Sequence, residues 1–544
     1  MTKRRLAFLL LCLGVAAGLL SVAAATIGTD GLALALLGIL LLVAPWVALG
    51  LAHGLLGLAL ILGRASPVAA VLPAARHPLA PPRGRTVIAV CLRDEDMAQV
   101  LPPLALLLDG LPEAHFALWF LSDTRAADAV AAEDAALAAW RAGRPDAARI
   151  HLRRRAANTG FKAGNVMEFL DAEGAGFDHM LCLDADSAMS APAVLRLVSL
   201  MEADPRMGIL QQLIVGRPVA AAFPRLFQFG MRAGMRIWAT AQAWWQGPKG
   251  PYWGHNALIR ISAFRAHARL APLPDGSTIL SHDQVEAIRL HQAGWGVWCL
   301  PDEEGSMEGN PPALPEFLAR DLRWGAGNMQ YLVLLREPGL DAMSRWQLAQ
   351  AIYLFAAAPL WVLAFVAAAL LAAAGGLDAV PGAQLAGLMA LFWAAMHAPK
   401  LAGYAQLLWR SPLARRYGGR RQVLRGALLE ILFTTVLTPI SVLNKSGFLL
   451  ALAFGARMGW TPQNRAARGV AWADAARLLW WHTALGVLAF GGLAATAPWA
   501  IPFALPWAGG LLLAIPFCVL TASPGAARRL VAHRLAATPE ELAA

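Results

Sequence analysis

Charge is scarce in this chain. Asp, Glu, Lys and Arg make up 15% of its 544 residues, against about 25% in a soluble domain. The shortfall excludes an ordinary soluble protein. The five cysteines, Cys12, Cys91, Cys182, Cys299 and Cys518, form no C-x-x-C pair, which argues against a zinc site or a disulfide framework and for reduced thiols. The chain has no Walker motif, no G-x-G-x-x-G, no long internal repeat and no nucleic-acid motif. In their place stand long apolar runs: 58% of residues are hydrophobic and the mean hydropathy is +0.51. A net charge of +11 accompanies them, with the arginines gathered beside the apolar runs, so membrane topology and anionic lipid explain the basic balance.

The runs divide the chain. Leu6 to Thr26 is long enough to span a bilayer; Ala23-Ala24-Ala25 offers a cleaved signal peptide as the competing reading. A second stretch covers Leu32 to Leu62. Two N-terminal spans within 1–63 are thus expected, then a Pro/Ala-rich connector at 64–85, a polar unit at 86–345, membrane and interfacial helices at 346–522, and a tail at 523–544. In the C-terminal part the expected spans are 347–374, 384–409, 478–498 and 501–521. The stretch 426–456 holds Pro439, Asn444 and Lys445 and lies between two arginine-rich loops. Loops of one sidedness require an even number of crossings, so a two-span hairpin or a pair of interfacial helices is expected there. That makes six spans, or eight, with both termini and the polar unit cytoplasmic.

Within the polar unit, Thr86–Cys91, Phe116–Leu121 and Met180–Leu183 are short apolar runs that each end in a polar loop, with helix-like stretches between. The alternation predicts an α/β unit with a mostly parallel sheet, inserted between transmembrane helices. Ligands in such sheets bind beyond the carboxyl ends of the strands. The residues there are acidic: Asp94-Glu95-Asp96, then Asp123, then Asp184-Ala185-Asp186. Two carboxylates at i and i+2 can share Mg²⁺ or Mn²⁺, which neutralises a diphosphate leaving group. A lone D-x-D is as often a turn after a strand; three acidic strand ends in succession weigh against that. Lys162, in a segment of small residues before the third run, is a candidate phosphate contact. Asp283 lies in a separate motif, Ser281-His282-Asp283, and is the candidate base; helix capping is the plainer and compatible role. Arg323 suits a diphosphate and Trp324 offers a face to a sugar ring, although a Trp-Arg pair also fits a membrane interface.

This order of motifs resembles the processive inverting glycosyltransferases of family 2, which include cellulose and hyaluronan synthases. Two departures, Ser281-His282 ahead of the base and Arg320-Asp321 in place of glutamines, match a narrower family. LDADSAMS (183–190), YWGHNALIR (252–260), ILSHDQVEA (279–287), AGWGVWCLPD (293–302) and RDLRWGAGNMQ (320–330) are similar to glucans biosynthesis glucosyltransferase H, and APKL (398–401) and 428–443 extend the likeness into the membrane part. The resemblance implies a GT-A-like cytoplasmic domain in the bacterial inner membrane, UDP-glucose as donor, a growing β-1,2-linked glucan as acceptor and product, and periplasmic glucan-processing partners. It places Glu95, Asp123, Lys162, Asp184 and Arg323 at the donor, Asp184 and Asp186 on the metal, Asp283 as base, and Trp324, His255 and Asn256 at the acceptor. Against that family the chain reads as short at its N-terminus. Two rivals remain: a single-transfer lipid glycosyltransferase, and a transporter with a soluble regulatory domain. The second needs intramembrane ionisable residues, and Glu430 and Lys445 stand almost alone.

Overall fold

A computed structural model describes residues 2–456 and 468–543. Two apolar helices come first, α1 (Lys3–Ile27) and α2 (Gly31–Gly63), both long enough to cross a membrane. The short α3 (Pro67–Val71) then leads into the sheet-bearing unit. Its strands are β1 (Thr86–Leu92), β2 (Phe116–Ser122), β3 (Ile150–Arg154), β4 (His179–Asp184), β5 (Ala188–Met189), β6 (Met207–Gln212), β7 (Val215–Gly216), β8 (Ala257–Arg260), β9 (Gly296–Leu300) and β10 (Ser306–Glu308). Between and after them run α4 (Met97–Asp109), α5 (Ala127–Ala142), α6 (Phe161–Ala172), α7 (Ala191–Ala203), α8 (Ala222–Gln246), α9 (Ile261–His267), α10 (His282–Gln292) and α11 (Leu314–Leu334).

The main sheet has seven strands in the order β3-β2-β1-β4-β8-β6-β9, and a small one has the order β5-β10-β7. Strands β3, β2, β1 and β4 are mutually parallel, β8 runs antiparallel to both β4 and β6, and β9 is parallel to β6. The sequence of β1, TVIAVCL, is buried at six of its seven positions, as expected of a strand covered on both faces. The α/β fold with a mostly parallel sheet is therefore as the sequence indicated, and the three apolar runs are β1, β2 and β4. All five cysteines are free thiols; Cys182, Cys299 and Cys518 are buried.

The C-terminal part comprises α12 (Ala342–Ala373), α13 (Gly382–Met396), α14 (Ala398–Trp409), α15 (Ser411–Arg416), α16 (Arg420–Ala453), α17 (Trp472–Thr496), α18 (Ile501–Leu512), α19 (Ala514–Thr521), α20 (Pro524–Ala532) and α21 (Pro539–Ala543). Among the described residues five helices are long and apolar enough to cross a membrane, or seven if two bent pairs each count as one span. The bent pairs fall where single spans were expected: α13 meets α14 at 80°, and the stretch from Pro498 through α18 meets α19 at 61°.

The stretch 426–456 departs from expectation. It is neither a hairpin nor two helices but the greater part of α16, an unbroken helix of 34 residues. Its charged residues and its proline are accommodated. Lys445 pairs with Asp321 of α11 at 3.1 Å. Glu430 accepts Lys400 Nζ at 2.6 Å and the Tyr404 hydroxyl at 2.5 Å. Pro439 lies inside the helix without ending it, and in the turn before it the Thr435 and Thr438 hydroxyls bond back to the Ile431 and Thr434 carbonyls. Of the basic residues behind α16, Arg457 and Arg465 lie outside the described residues. Arg468 pairs with Glu316 at 2.7 Å, and Arg416, ahead of α16, pairs with Glu304 at 2.9 Å. Basic residues on both sides of this helix thus touch the sheet-bearing unit.

Candidate active site

The chemistry gathers at the carboxyl ends of β1, β2 and β4. After β1 the chain turns sharply: Asp94 takes a left-handed φ of +57°, and its N–H donates to Thr124 Oγ1 at 2.9 Å. Asp96 caps α4 by accepting the Ala98 N–H at 3.0 Å, and Glu95 between the two aspartates is half-buried. After β2, Asp123 is held by a partner the sequence did not single out. Arg155 forks onto it, Nε to Oδ1 at 2.7 Å and Nη2 to Oδ2 at 2.9 Å, and Asn165 Nδ2 donates to Oδ1 at 3.0 Å. A carboxylate offers about four acceptor positions, so one remains for a ligand donor.

Lys162 stands in the first turn of α6. Gly164 is required beside it, because a Cβ there would lie 2.0 Å from the Thr159 carbonyl oxygen. The amine donates to Asp184 Oδ1 and, at 2.8 Å, to the Gly254 carbonyl. Burial opposes its charge, but Asp184 together with the nearby Cys182 and Cys91 outweighs that and holds its pKa above the usual lysine value. Asp184 ends β4 and opens a tight turn: its N–H donates to Ser187 Oγ at 3.1 Å and its carbonyl accepts the Ser187 N–H at 3.0 Å. Asp186, half-buried, faces Gly309, where a Cβ would stand 3.1 Å from its Oδ2.

The loop before β8 supplies the next wall. Gly254 (φ +87°) and Asn256 (φ +50°) both take left-handed backbone. Asn256 is fully buried, and its amide donates to Ser306 Oγ at 3.0 Å and the Met307 carbonyl at 3.2 Å. Those bonds anchor the loop to β10. His255 Nε2 lies 3.2 Å from Glu308 Oε2. Burial opposes an imidazolium there, but Asp184 and Glu308 overcome it and lift the pKa to about 10. Glu308 is held below the usual glutamate value by His255 against its own burial. Neither Glu308, the last residue of β10, nor Arg155, the last of three consecutive arginines, was singled out by the sequence.

Asp283 comes from the opposite side, in the first turn of α10. It lies against Gly254, whose absent Cβ would be 3.5 Å from that of Asp283. Burial raises its pKa and Glu286 adds to that, while His282 works the other way. The neighbouring His282 is turned onto Glu286, with Nδ1 and Oε2 3.0 Å apart. Helix α11 closes the cleft. Trp324 is 48% exposed, with the Arg320 guanidinium 4.5 Å over its ring. Arg323 precedes it, and Asp321 points instead at α16, toward Lys445 and Ser441. Of the sequence candidates, Lys162, Asp184, His255 and Asp283 share the surroundings of the 254–256 loop, and Asp186 adjoins β10. Among the described residues no three His, Cys, Asp or Glu side chains converge as a metal cage. Two carboxylates with substrate phosphates are a common Mg²⁺ arrangement, and Asp184 and Asp186 fit it.

A family model described as "Glycosyl transferase family group 2" matches residues 179–408. Curated relatives extend the match. A glucans biosynthesis glucosyltransferase H of Caulobacter vibrioides is 33% identical over 488 residues, covering 84% of this chain and 72% of its own. Proteins of the same description from Vibrio cholerae and Xanthomonas euvesicatoria are each 32% identical, covering 91% and 93% of this chain and 71% and 82% of theirs. Among solved structures, a mannosyltransferase of Pyrobaculum calidifontis in complex with GDP-Man and Mn²⁺ aligns with 66% of this chain and 99% of its own, at 17% identity and a TM-score of 0.40, too distant to transfer residue roles. Identity at that level along nearly the whole chain, membrane helices included, leaves one assignment: the chain belongs to the glucans biosynthesis glucosyltransferase H family.

Proposed function

We propose that this membrane glycosyltransferase transfers glucose from UDP-glucose to the growing end of a β-linked glucan, of the β-1,2 type, and passes the product across the bacterial inner membrane. The catalytic unit faces the cytoplasm, and periplasmic glucan-processing proteins receive the chain. The observation that carries this reading is the convergence of Lys162, Asp184 and Asp283 on the backbone around Gly254. That convergence supports reading Lys162 as the phosphate-binding cation, Asp184 as one of the paired carboxylates and Asp283 as the base.

In this reading Glu95 and the remaining acceptor position of Asp123 hold the uridine. Asp184 and Asp186 hold Mg²⁺ or Mn²⁺, which when bound neutralises the diphosphate. Lys162 and Arg323 add positive charge to the same group. Trp324 presents an apolar face to the acceptor sugar, with Arg320 lying over the ring. His255 borders the sugar pocket, and Asn256 acts by fixing the loop that presents it. Asp283 takes the proton of the acceptor hydroxyl as the oxygen bonds to the anomeric carbon. The bond to UDP breaks on the opposite face, UDP leaves with the electron pair, and an α-linked donor becomes a β-linkage. Burial favours this role, because a carboxylate with a raised pKa is a stronger base.

The test is direct. Purified protein in lipid is incubated with radiolabelled UDP-sugars and the product is subjected to linkage analysis. Water-soluble β-glucan from UDP-glucose alone is expected. Label that partitions entirely into organic solvent as a single glucosyl lipid would replace this reading with single transfer.

A further inference from the structure

The loop that ends at the base lies along the second half of α11. From Thr278 to Ser281 the chain forms neither helix nor strand, and side chains of α11 hold it. Gln330 grips it twice: its side-chain oxygen accepts the Leu280 N–H at 2.8 Å, and its amide donates to the Thr278 carbonyl at 3.0 Å. The Tyr331 hydroxyl donates to the Ser281 carbonyl at 2.7 Å. Gly327 allows the approach, since a Cβ there would stand 2.1 Å from Ser281 Oγ and 2.9 Å from its backbone nitrogen. Tyr331 is 1% exposed and packs with Ile279, Val285, Ile288 and Leu334, apolar residues of both partners.

We propose that Gln330 and Tyr331 are positioning residues that fix Asp283 relative to Trp324, so that base and sugar platform keep one spacing whenever α11 shifts. The inference rests on the reading of Asp283 as the base. Trp324 and Gln330 lie six residues apart on one helix, about 9 Å along its axis, so α11 carries the acceptor platform at one point and the base loop at the next turns. Proton transfer requires the base within about 3 Å of the hydroxyl, and an error of about 1 Å in such a geometry can cost a hundredfold. A clamp with three hydrogen bonds at the base loop therefore acts on turnover rather than on donor binding.

The experiment uses the full chain in lipid, with Tyr331→Phe and Gln330→Ala compared in wild-type and Asp283→Asn backgrounds. In the wild-type background kcat is expected to fall about tenfold or more, while the donor KM and UDP affinity stay within about threefold. With Asp283→Asn already present, adding Tyr331→Phe should change the residual rate by less than about twofold, because no base remains to be misplaced. A purely structural role would reduce the rate by the same factor in both backgrounds, or weaken UDP binding in step with the melting temperature; either result overturns the inference. Should Tyr331→Phe not reach the membrane folded, Gly327→Ala, which pushes Ser281 rather than releasing it, must show the same pattern. Normal turnover in the clamp variants beside an inactive Asp283→Asn removes the inference alone; turnover that survives Asp283→Asn removes the base assignment and the inference with it.

Discussion

Asp283 can accept a proton only while ionised, and its burial raises the pH at which ionisation occurs. Falling pH therefore protonates it before an ordinary aspartate, and activity is lost in that direction. The acidic limb of the kcat/KM profile should lie above 3.8, the ordinary aspartate value; a limb at or below it would argue that another group limits the rate. Asp283→Asn keeps the shape of the side chain, and the N-cap of α10 is Ser281, which it leaves in place. It should cut turnover about a hundredfold or more while UDP affinity stays within roughly threefold, well under 1 kcal/mol, as read by titration. The donor side predicts the opposite split. Lys162→Met leaves Asp184 without its ammonium partner and removes the proposed phosphate contact, so the donor KM should rise about tenfold or more, a loss of about 1.4 kcal/mol. An unchanged donor KM would place Lys162 outside the donor site. Asp184, Asp186 and Asp283 stand out in the sequence by their chemistry and spacing alone. Their partners do not. Arg155 becomes the clamp on Asp123 only because β3 and α6 bring it there, and no spacing rule connects Glu308 with His255.

At the scale of elements, legibility followed hydrophobicity. Strands β1, β2 and β4 are apolar runs and could be read. Strand β3, Ile-His-Leu-Arg-Arg, sits at the sheet edge with four of its five residues only half-buried, and its charges hide it. Strand β6 ends in Gln211 and Gln212, both essentially without exposure; they belong in the core because their amides bond to carbonyls of the 255–256 loop and of Asp302 and Glu304. Helix α16 departed for another reason: basic stretches at both of its ends asked for an even number of crossings, and one unbroken helix instead carries Lys445, which pairs with Asp321. Removing one partner of a buried pair costs about 3 kcal/mol or more, whereas removing both can be nearly neutral. Asp321→Ala should therefore lower the melting temperature of the protein in detergent, and Asp321→Ala with Lys445→Met should recover most of the loss. No recovery in the double variant would mean that Asp321 serves the acceptor cleft rather than α16.

For the molecule as a whole, the arginines that flank the spans imply an orientation. A cysteine introduced at Gly418→Cys, in the loop after α15, should resist an impermeant maleimide in intact cells and react after lysis. Labelling from outside would reverse the proposed sidedness. Chelation gives a second global test: excess EDTA should abolish transfer and Mg²⁺ or Mn²⁺ restore it, with Asp186→Asn showing the same loss in folded protein. Full activity in EDTA would eliminate the metal assignment for Asp184 and Asp186.

Helix α8 belongs to the sheet-bearing unit by sequence, yet glycines let the membrane helices press into it. A Cβ at Gly57 of α2 would meet the Ile237 carbonyl at 2.2 Å, one at Gly403 of α14 would meet the Ala233 carbonyl at 2.3 Å, and one at Gly230 of α8 would strike Glu430 of α16 at 2.2 Å. Phe223 and Phe229 share a single apolar cluster with Phe433 and Leu437. Catalytic unit and membrane helices are thus not interchangeable cassettes. A fragment cut out at 86–345 would carry a raw apolar flank and aggregate, and grafting this catalytic unit onto a foreign set of spans would fail unless the glycines on both sides travelled with it. A side chain added at Gly57, Gly403 or Gly230 would therefore need a matching change across the α8 seam.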